Sequence, residues 1–227
     1  MQEFEQNRTK KLTTLAMLIA MAFMVGATFR VRHIFAAAPF LTYDPKDVVI
    51  LIGGFLFGPP AAFAMSGILA LLEMATVSVT GFIGAIMNAA ASASFTGTAA
   101  FVYSKKRNLH GAMIGLALGC VVATATMLLW NYAIIPLYMP GVTREAIMGL
   151  MLPVLLPFNL IKTGLNAVIA LLIYKRVSEA LRAAGLYKET LSENGKAFSL
   201  HMPVMIISAV IAVTLIVLMF IIRGGGA

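Results

Sequence analysis

Charged side chains are scarce in this 227-residue sequence, in which 11% of the residues are Asp, Glu, Lys or Arg and 60% are hydrophobic. A soluble globular domain carries about a quarter charged and about half apolar residues, and the mean hydropathy here is +0.93. Several uncharged windows approach the length of about 20 residues that crosses a bilayer. The composition therefore excludes an ordinary soluble domain and predicts an all-α, multi-pass membrane protein.

Residues for covalent, metal or nucleotide chemistry are also scarce. Cys120 is the one cysteine, so an intrachain disulfide is excluded, and its place in an apolar run indicates a small packing residue. The sequence has no Gly-rich Walker loop, and its three histidines lie at the ends of predicted spans, without a metal cluster or a Ser-His pair. We therefore expect no enzyme, no metal and no cofactor. Glu73 is the one acidic residue well inside a span, whereas ion-coupled carriers more often bury several carboxylates.

Apolar runs predict six spans within a domain of residues 1–184, followed by a cytoplasmic loop at 185–202 and a seventh transmembrane helix at 203–222. Residues 30–47 form a polar connection, and a short polar loop carries Arg144 and Glu145. Gly58-Pro59-Pro60 is a signal for a tight turn. The six spans of the domain are predicted at 12–29, 48–57, 61–79, 83–103, 112–138 and 150–174.

The distribution of basic residues predicts the orientation. With the N-terminus inside, eleven Lys and Arg residues lie on the inner side and five on the outer side. Because cytoplasmic loops carry the excess of basic residues, the N-terminus is predicted to be cytoplasmic. Lys162 then points toward the outer face. The uncharged run at 203–222 would cross once more and end outside; the alternative is a hairpin or surface-lying segment that ends inside.

Small residues recur at intervals of four on three of the predicted spans. Such stripes let helix backbones approach each other closely. We expect the fourth and fifth spans to pack inside the bundle, whereas the first span could equally pack against another protein. The stripes are Ala16 and Ala20 on the first span, Ala85, Ala89, Ala93 and Gly97 on the fourth, and Gly111, Gly115 and Gly119 on the fifth.

Polar residues open the sixth span, where they are costly. Asn159, Lys162 and Asn166 share one face of a helix with about 100° per residue. Ionisable groups within a membrane segment usually face a cavity or a partner, which favours a functional site. The alternative is that Lys162 extends to the interface and that the two amides join helices.

Further polar residues are predicted near the same outer end. They are Asn131 on the fifth span, Asn88 on the fourth, and Thr42, Tyr43 and Asp44 in the first connection. These groups can converge on an outward-facing pocket, since ligand pockets are mostly apolar with a few orienting polar groups. Amides suit a flat heterocycle because Asn offers both a donor and an acceptor. The neighbouring Trp130 and Tyr132 could instead belong to an interfacial aromatic belt.

Four motifs occur together along the chain. They are Tyr-Asp-Pro-Lys-Asp at 43–47, Phe-Gly-Pro at 57–59, Trp-Asn-Tyr at 130–132 with Ile-Pro at 135–136, and Leu-Pro-Phe-Asn-Leu-Ile-Lys at 156–162. In these motifs, and over residues 10–184, the chain resembles the riboflavin-specific S components of energy-coupling factor (ECF) transporters. The small-residue pair Ala16 and Ala20 lies where S components carry their docking motif.

The resemblance implies a six-helix bundle in the bacterial cell membrane that captures riboflavin at the outer face, as a transported ligand. It implies that Asn131, Asn159 and Lys162 hydrogen-bond the vitamin and that the connection at 42–44 closes over it. It also implies that the small-residue pair on the first span faces the transmembrane T component, and that two partner ATPases drive delivery inward.

Two alternatives within transport stay open, namely an S component for another vitamin and a stand-alone secondary carrier. A membrane-embedded enzyme is an alternative from a different class, and it is disfavoured because no catalytic set is evident. The run at 203–222 departs from the six-span family pattern.

Overall fold

The computed structural model describes residues 2–32, 38, 41–76, 81–138, 141–186 and 202–224. His33, His201, the end of the third predicted span, most of the predicted loop 185–202 and the last three residues lie outside these ranges. The elements are α1 (Gln2–Thr28), β1 (Val31–Arg32), β2 (Thr42–Tyr43), α2 (Lys46–Phe57), α3 (Pro59–Thr76), α4 (Gly81–Lys105), α5 (Leu109–Tyr138), α6 (Arg144–Leu150), a π-helical segment (Met151–Leu155), α7 (Leu156–Ala183) and α8 (Met202–Gly224).

The all-α membrane architecture predicted from the sequence is confirmed. Within the described chain, five helical stretches are long and apolar enough to cross a membrane. Their many large apolar side chains that face outward suit a lipid environment rather than water. The five stretches are Arg8–Thr28, Pro59–Thr76, Gly81–Lys105, Leu109–Leu137 and Arg144–Ala183.

The second predicted span is a short internal helix rather than a full crossing. α2 has 12 residues and is therefore about 18 Å long, whereas the hydrocarbon core is about 30 Å thick. All of its residues except Phe57 are buried, as expected for a helix that is apolar on every side. It ends at Gly58, whose φ of 89° suits glycine, and α3 begins at the next residue. The predicted tight turn is confirmed.

The predicted polar loop around Arg144 and Glu145 is wrong, because both residues belong to α6. The hydroxyl oxygen of Thr143 accepts a hydrogen bond from the backbone N–H of Ala146 at 3.2 Å, which caps the helix start. α6 continues through the π-helical segment into α7. Pro153 lies within that segment and lacks the N–H of a regular helical bond, so the irregular turn accommodates it.

The connection at 30–47 contains a short antiparallel ribbon that the sequence did not predict. Val31 pairs with Tyr43, and Arg32 pairs with Thr42. We call β1, β2 and Asp44 the ribbon. It brings the end of α1 next to the start of α2, because Arg30 directly precedes β1 and Lys46 begins α2.

The predicted internal packing of the small-residue stripes is confirmed. The stripe on α5 packs closely against α4, whereas Gly97 of the stripe on α4 faces Phe63 on α3. A Cβ atom at Gly115 would lie 2.7 Å from the carbonyl oxygen of Ala99, and one at Gly119 would lie 2.7 Å from that of Phe95. Both distances are shorter than side-chain packing allows. Cys120 packs beside the buried apolar cluster that includes Phe95, Ala99 and Leu116, as its position in an apolar run predicted.

The predicted seventh transmembrane run is a helix, α8, that packs against α7. Ser208, Ala212 and Met219 are buried along one side, and a Cβ atom at Gly164 would lie 3.5 Å from Leu215 Cδ1. The other faces of α8 expose apolar side chains. α8 therefore lies at the periphery of the bundle, as expected, while its crossing of the membrane stays a prediction.

Candidate functional site

The polar face predicted on α7 turns into the protein. Asn166 is fully buried, Asn159 is 5% exposed, and the side chain of Lys162 is 12% exposed. Each of these groups loses water and must be compensated within the protein. Their partners therefore define what this face does.

Asn166 joins α7 to the ribbon. The hydroxyl of Tyr43 donates to Oδ1 of Asn166 at 2.9 Å, and the Asn166 amide donates to the backbone oxygen of Asp44 at 3.3 Å. Both ends of one buried amide are thus used to hold β2 and its following residue. Burial, followed by the negative charges of Asp44 and Asp47, raises the pKa of Tyr43, so this tyrosine stays a neutral donor.

Asp44 lies between two lysines. Its Oδ2 lies 3.7 Å from Nζ of Lys162, and its Oδ1 lies 4.0 Å from Nζ of Lys46. Burial by itself would raise the pKa of the Asp44 carboxyl, but the charges of Lys162, Lys46 and Arg30 outweigh it and hold that pKa below its ordinary value. Oδ1 is buried without a hydrogen-bond donor among the described residues, which leaves an acceptor for a bound molecule.

Glu73 holds a second group of charges together. Its Oε1 accepts a hydrogen bond from Nη2 of Arg30 at 2.7 Å. Its Oε2 contacts Nζ of Lys46 and accepts from the amide of Asn88 at 2.8 Å. Glu73 on α3 therefore joins the end of α1, the start of α2 and α4.

This network changes the interpretation of Asn88 and of the first connection. Asn88 was predicted to line a pocket, but the structure places its amide on Glu73. The contacts of Arg30 and Lys46 with Glu73 were not predicted from the sequence. A lone carboxylate within an apolar span was the available signal, because a buried carboxylate needs a positive partner.

The buried network contains equal numbers of acidic and basic side chains. Asp47 completes the set, and its Oδ1 accepts a hydrogen bond from the hydroxyl of Ser92 at 2.5 Å. Within the described residues the network therefore contains three acidic and three basic side chains, all at the same end of the bundle. They are Asp44, Asp47 and Glu73, with Arg30, Lys46 and Lys162.

Two predicted ligand residues lie outside this network. Asn131 donates its amide to the carbonyl of Met127 at 2.6 Å, and Asn159 donates to that of Leu155 at 2.7 Å. Each bond runs within the residue's own helix, and Leu155 closes the π-helical segment. An asparagine has two N–H donors and a carbonyl acceptor, so both side chains keep capacity for a ligand. Thr42 is half-buried on β2.

The predicted docking pair lies on the outer surface of α1. Ala16 and Ala20 are both exposed, whereas Leu18 and Ala22 on the opposite side are buried. The exposed side also carries Met17. α1 therefore presents a small-residue face that the described part of the chain does not cover.

These features define a class, namely multi-pass helical membrane proteins with a buried polar site at one end of the bundle. The family described as "ECF transporter, substrate-specific component" matches residues 10–174. The chain belongs to this family and is the substrate-binding membrane subunit of an ECF transporter. α8 lies beyond the matched residues.

Individual relatives agree with that assignment. The chain is 30% identical over 186 residues to the riboflavin transporter RibU of Staphylococcus aureus, covering 80% of this chain and 97% of that protein. It is 28% identical over 176 residues to the riboflavin transporter FmnP of Bacillus subtilis, covering 74% and 91%. A solved structure described as "Structure and mechanism of the S component of a bacterial ECF transporter" matches with a TM-score of 0.65 and 31% identity, covering 77% and 99%.

Proposed function

We propose that this subunit captures riboflavin. The observation that carries the proposal is the match to the riboflavin transporter of Staphylococcus aureus, which extends over 97% of that protein. A second riboflavin transporter matches over 91% of its length. The shared region includes the predicted site on α5 and α7.

The chemistry of the site supports a neutral, flat and polar-edged ligand. Asn131 and Asn159 can donate to and accept from the edge of the flavin ring, and the ammonium of Lys162 suits its carbonyl oxygens. The free Oδ1 of Asp44 can accept from a hydroxyl of the ribityl chain. A neutral vitamin adds no further charge to this network of acidic and basic side chains.

The ribbon is the proposed cover. Tyr43 and Asp44 are fixed to α7 through Asn166 and Lys162, and Thr42 precedes them on β2. A ligand on the same face of α7 lies next to these contacts. Closing the ribbon then excludes water, which strengthens each polar contact inside.

The proposed assembly is that of an ECF transporter. The face of α1 with Ala16 and Ala20 packs against the transmembrane T component, and two ATPases on the inner side drive delivery. With the N-terminus cytoplasmic, the polar end of the bundle faces outward, where the vitamin is captured.

Flavin binding by the purified subunit tests the proposal. Protein from riboflavin-supplied cells should be yellow and should release a flavin on denaturation. Riboflavin-free protein should quench flavin fluorescence in a saturable titration, and excess thiamine or biotin should not compete. Saturable binding of one of those vitamins without flavin binding would indicate a different substrate and contradict the proposal.

A further inference from the structure

Lys46 has two acidic neighbours but is held by one of them. Its Nζ contacts Oε2 of Glu73, whereas Oδ1 of Asp44 lies 4.0 Å away. Lys46 is 2% exposed, so it cannot turn to water. Without the carboxylate of Glu73, Asp44 is the nearest remaining anion for this buried ammonium.

Asp44 is also the anionic partner of Lys162, at 3.7 Å. One carboxylate is therefore within reach of two buried ammonium groups. The contact between Lys46 and Glu73 determines which of the two ammonium groups pairs most closely with the Asp44 carboxylate. While Glu73 holds Lys46, Asp44 is available to fix the position of Lys162.

We propose that Glu73 is a positioning residue of the binding site, which acts on Lys162 through Lys46 and Asp44. Glu73 lies on α3 and bonds to Arg30, Lys46 and Asn88. It takes the closest contact of Lys46, which stays at 4.0 Å from Asp44, so that Asp44 orients the lysine on α7 toward the ligand. The effect on riboflavin rests on the proposed function, whereas the effect on Lys162 does not.

The substitution Glu73→Gln tests this effect with little change in shape. The glutamine oxygen can still accept from Asn88, but it no longer neutralises the charge of Lys46. Lys46 then competes for Asp44, and we expect riboflavin affinity to fall about tenfold, the size of one charge-assisted contact.

A second substitution separates positioning from a merely structural role. Adding Lys46→Met removes the cation that lies nearest to Asp44 after Lys162. Arg30 loses its Glu73 partner in both variants, so the comparison isolates the effect of Lys46. The double variant should therefore recover most of the lost affinity. A merely structural role would lower the melting temperature of Glu73→Gln and restore it in the double variant, which no longer holds the uncompensated charge, but it would leave the affinity per folded molecule unchanged in both. Glu179→Gln is the matched control, because Glu179 is exposed and its pair with Lys175 at 3.9 Å lies on the surface.

Acetylation of Lys162 gives a readout without any ligand. Competitive labelling with acetic anhydride, with the exposed Lys175 as internal standard, should show Lys162 severalfold more reactive in Glu73→Gln. It should return toward the native ratio in the double variant. If the native chain does not bind riboflavin but the labelling follows this pattern, the proposed substrate fails and the positioning role stands. Unchanged labelling in Glu73→Gln, or failure of Lys46→Met to restore it, would overturn the positioning role.

Discussion

The ammonium of Lys162 lies 3.7 Å from Oδ2 of Asp44, which pairs a helix residue that can reach a ligand with the ribbon that can cover it. The pair is shielded from water, so its loss cannot be compensated by solvent. Asn166 binds the same stretch of ribbon through Tyr43 and the backbone of Asp44. Ligand contact and closure of the site are therefore joined on one face of α7.

Truncating the proposed ligand contacts should weaken binding without loss of the fold. We expect Lys162→Ala to lower riboflavin affinity by about ten- to a hundredfold, since a hydrogen bond to a charged group is worth about 1.5–3 kcal/mol. Asn131→Ala should lower it by about two- to tenfold, since a hydrogen bond between neutral groups is worth about 0.5–1.5 kcal/mol. Lys175→Ala, the same change at an exposed lysine, should bind normally. Flavin fluorescence titrations that are unchanged in both variants would contradict the assignment.

The charge of Asp44 should stabilise the fold in a pH-dependent manner. Because the pKa of Asp44 in the folded protein is below the ordinary value of 3.8, its contribution is fully present above that value and is lost as the pH falls through the folded pKa. Asp44→Asn leaves the buried ammonium of Lys162 without its carboxylate partner, and we expect it to cost about 3–5 kcal/mol near neutral pH. Thermal melting of both proteins should show the difference shrinking in acid; a difference that grows in acid would exclude this origin.

Glycine at the α4–α5 contact should be required for stability. Because a Cβ atom at Gly119 would lie 2.7 Å from the carbonyl oxygen of Phe95, Gly119→Ala should force the helices apart and cost about 1–3 kcal/mol. A Cβ atom at Gly67 on α3 would meet nothing within 4 Å, so Gly67→Ala should be neutral or slightly stabilising. Equal melting temperatures for the two variants would show that the bundle relaxes at this contact.

The exposed alanines of α1 should control assembly but not ligand capture. Ala16→Trp or Ala20→Trp should block co-purification with the T component and uptake, because contacts between membrane helices need close backbone approach. Riboflavin binding by the solitary subunit should stay normal. Ala117→Trp, at an equally exposed alanine on α5, is the control; normal recovery of the complex with both α1 variants would place docking elsewhere.

The topology of α8 can be read from the accessibility of the chain end. The 20 residues of 203–222 carry no charge, which is enough for about one crossing, and the basic residues before them should stay inside. A cysteine at position 227 in a Cys120→Ser background should therefore react with a membrane-impermeant thiol reagent on intact cells. Labelling that requires lysis would mean that α8 does not cross.

Periodicity and composition predicted the helices because long apolar runs have few alternatives in a membrane. The α4–α5 contact was also predictable, since Gly115 and Gly119 repeat at helical spacing. The helix ends were less predictable. Arg144 and Glu145 were interpreted as loop residues because they are charged, whereas Thr143 caps the helix that contains them.

The ionic network could not be predicted from the sequence, for a different reason. Arg30, Lys46 and Glu73 lie on different elements, and no periodicity relates one to another. Their pairing depends on the ribbon, which is too short to produce an alternating pattern. The apolar run of α2 resembled a span because hydropathy does not distinguish burial in protein from burial in lipid.

The length of α2 sets the depth at which a vitamin would be held. In the proposed orientation its end at Gly58 lies at the inner boundary, so the end with Lys46 stops about 12 Å below the outer boundary of the hydrocarbon core. A molecule bound beside Asp44 is then immersed in the membrane and leaves only when the ribbon lifts from α7. Delivery of the vitamin into the cell would then depend on how much the partner subunits shorten its residence time in the site, more than on how fast it is captured.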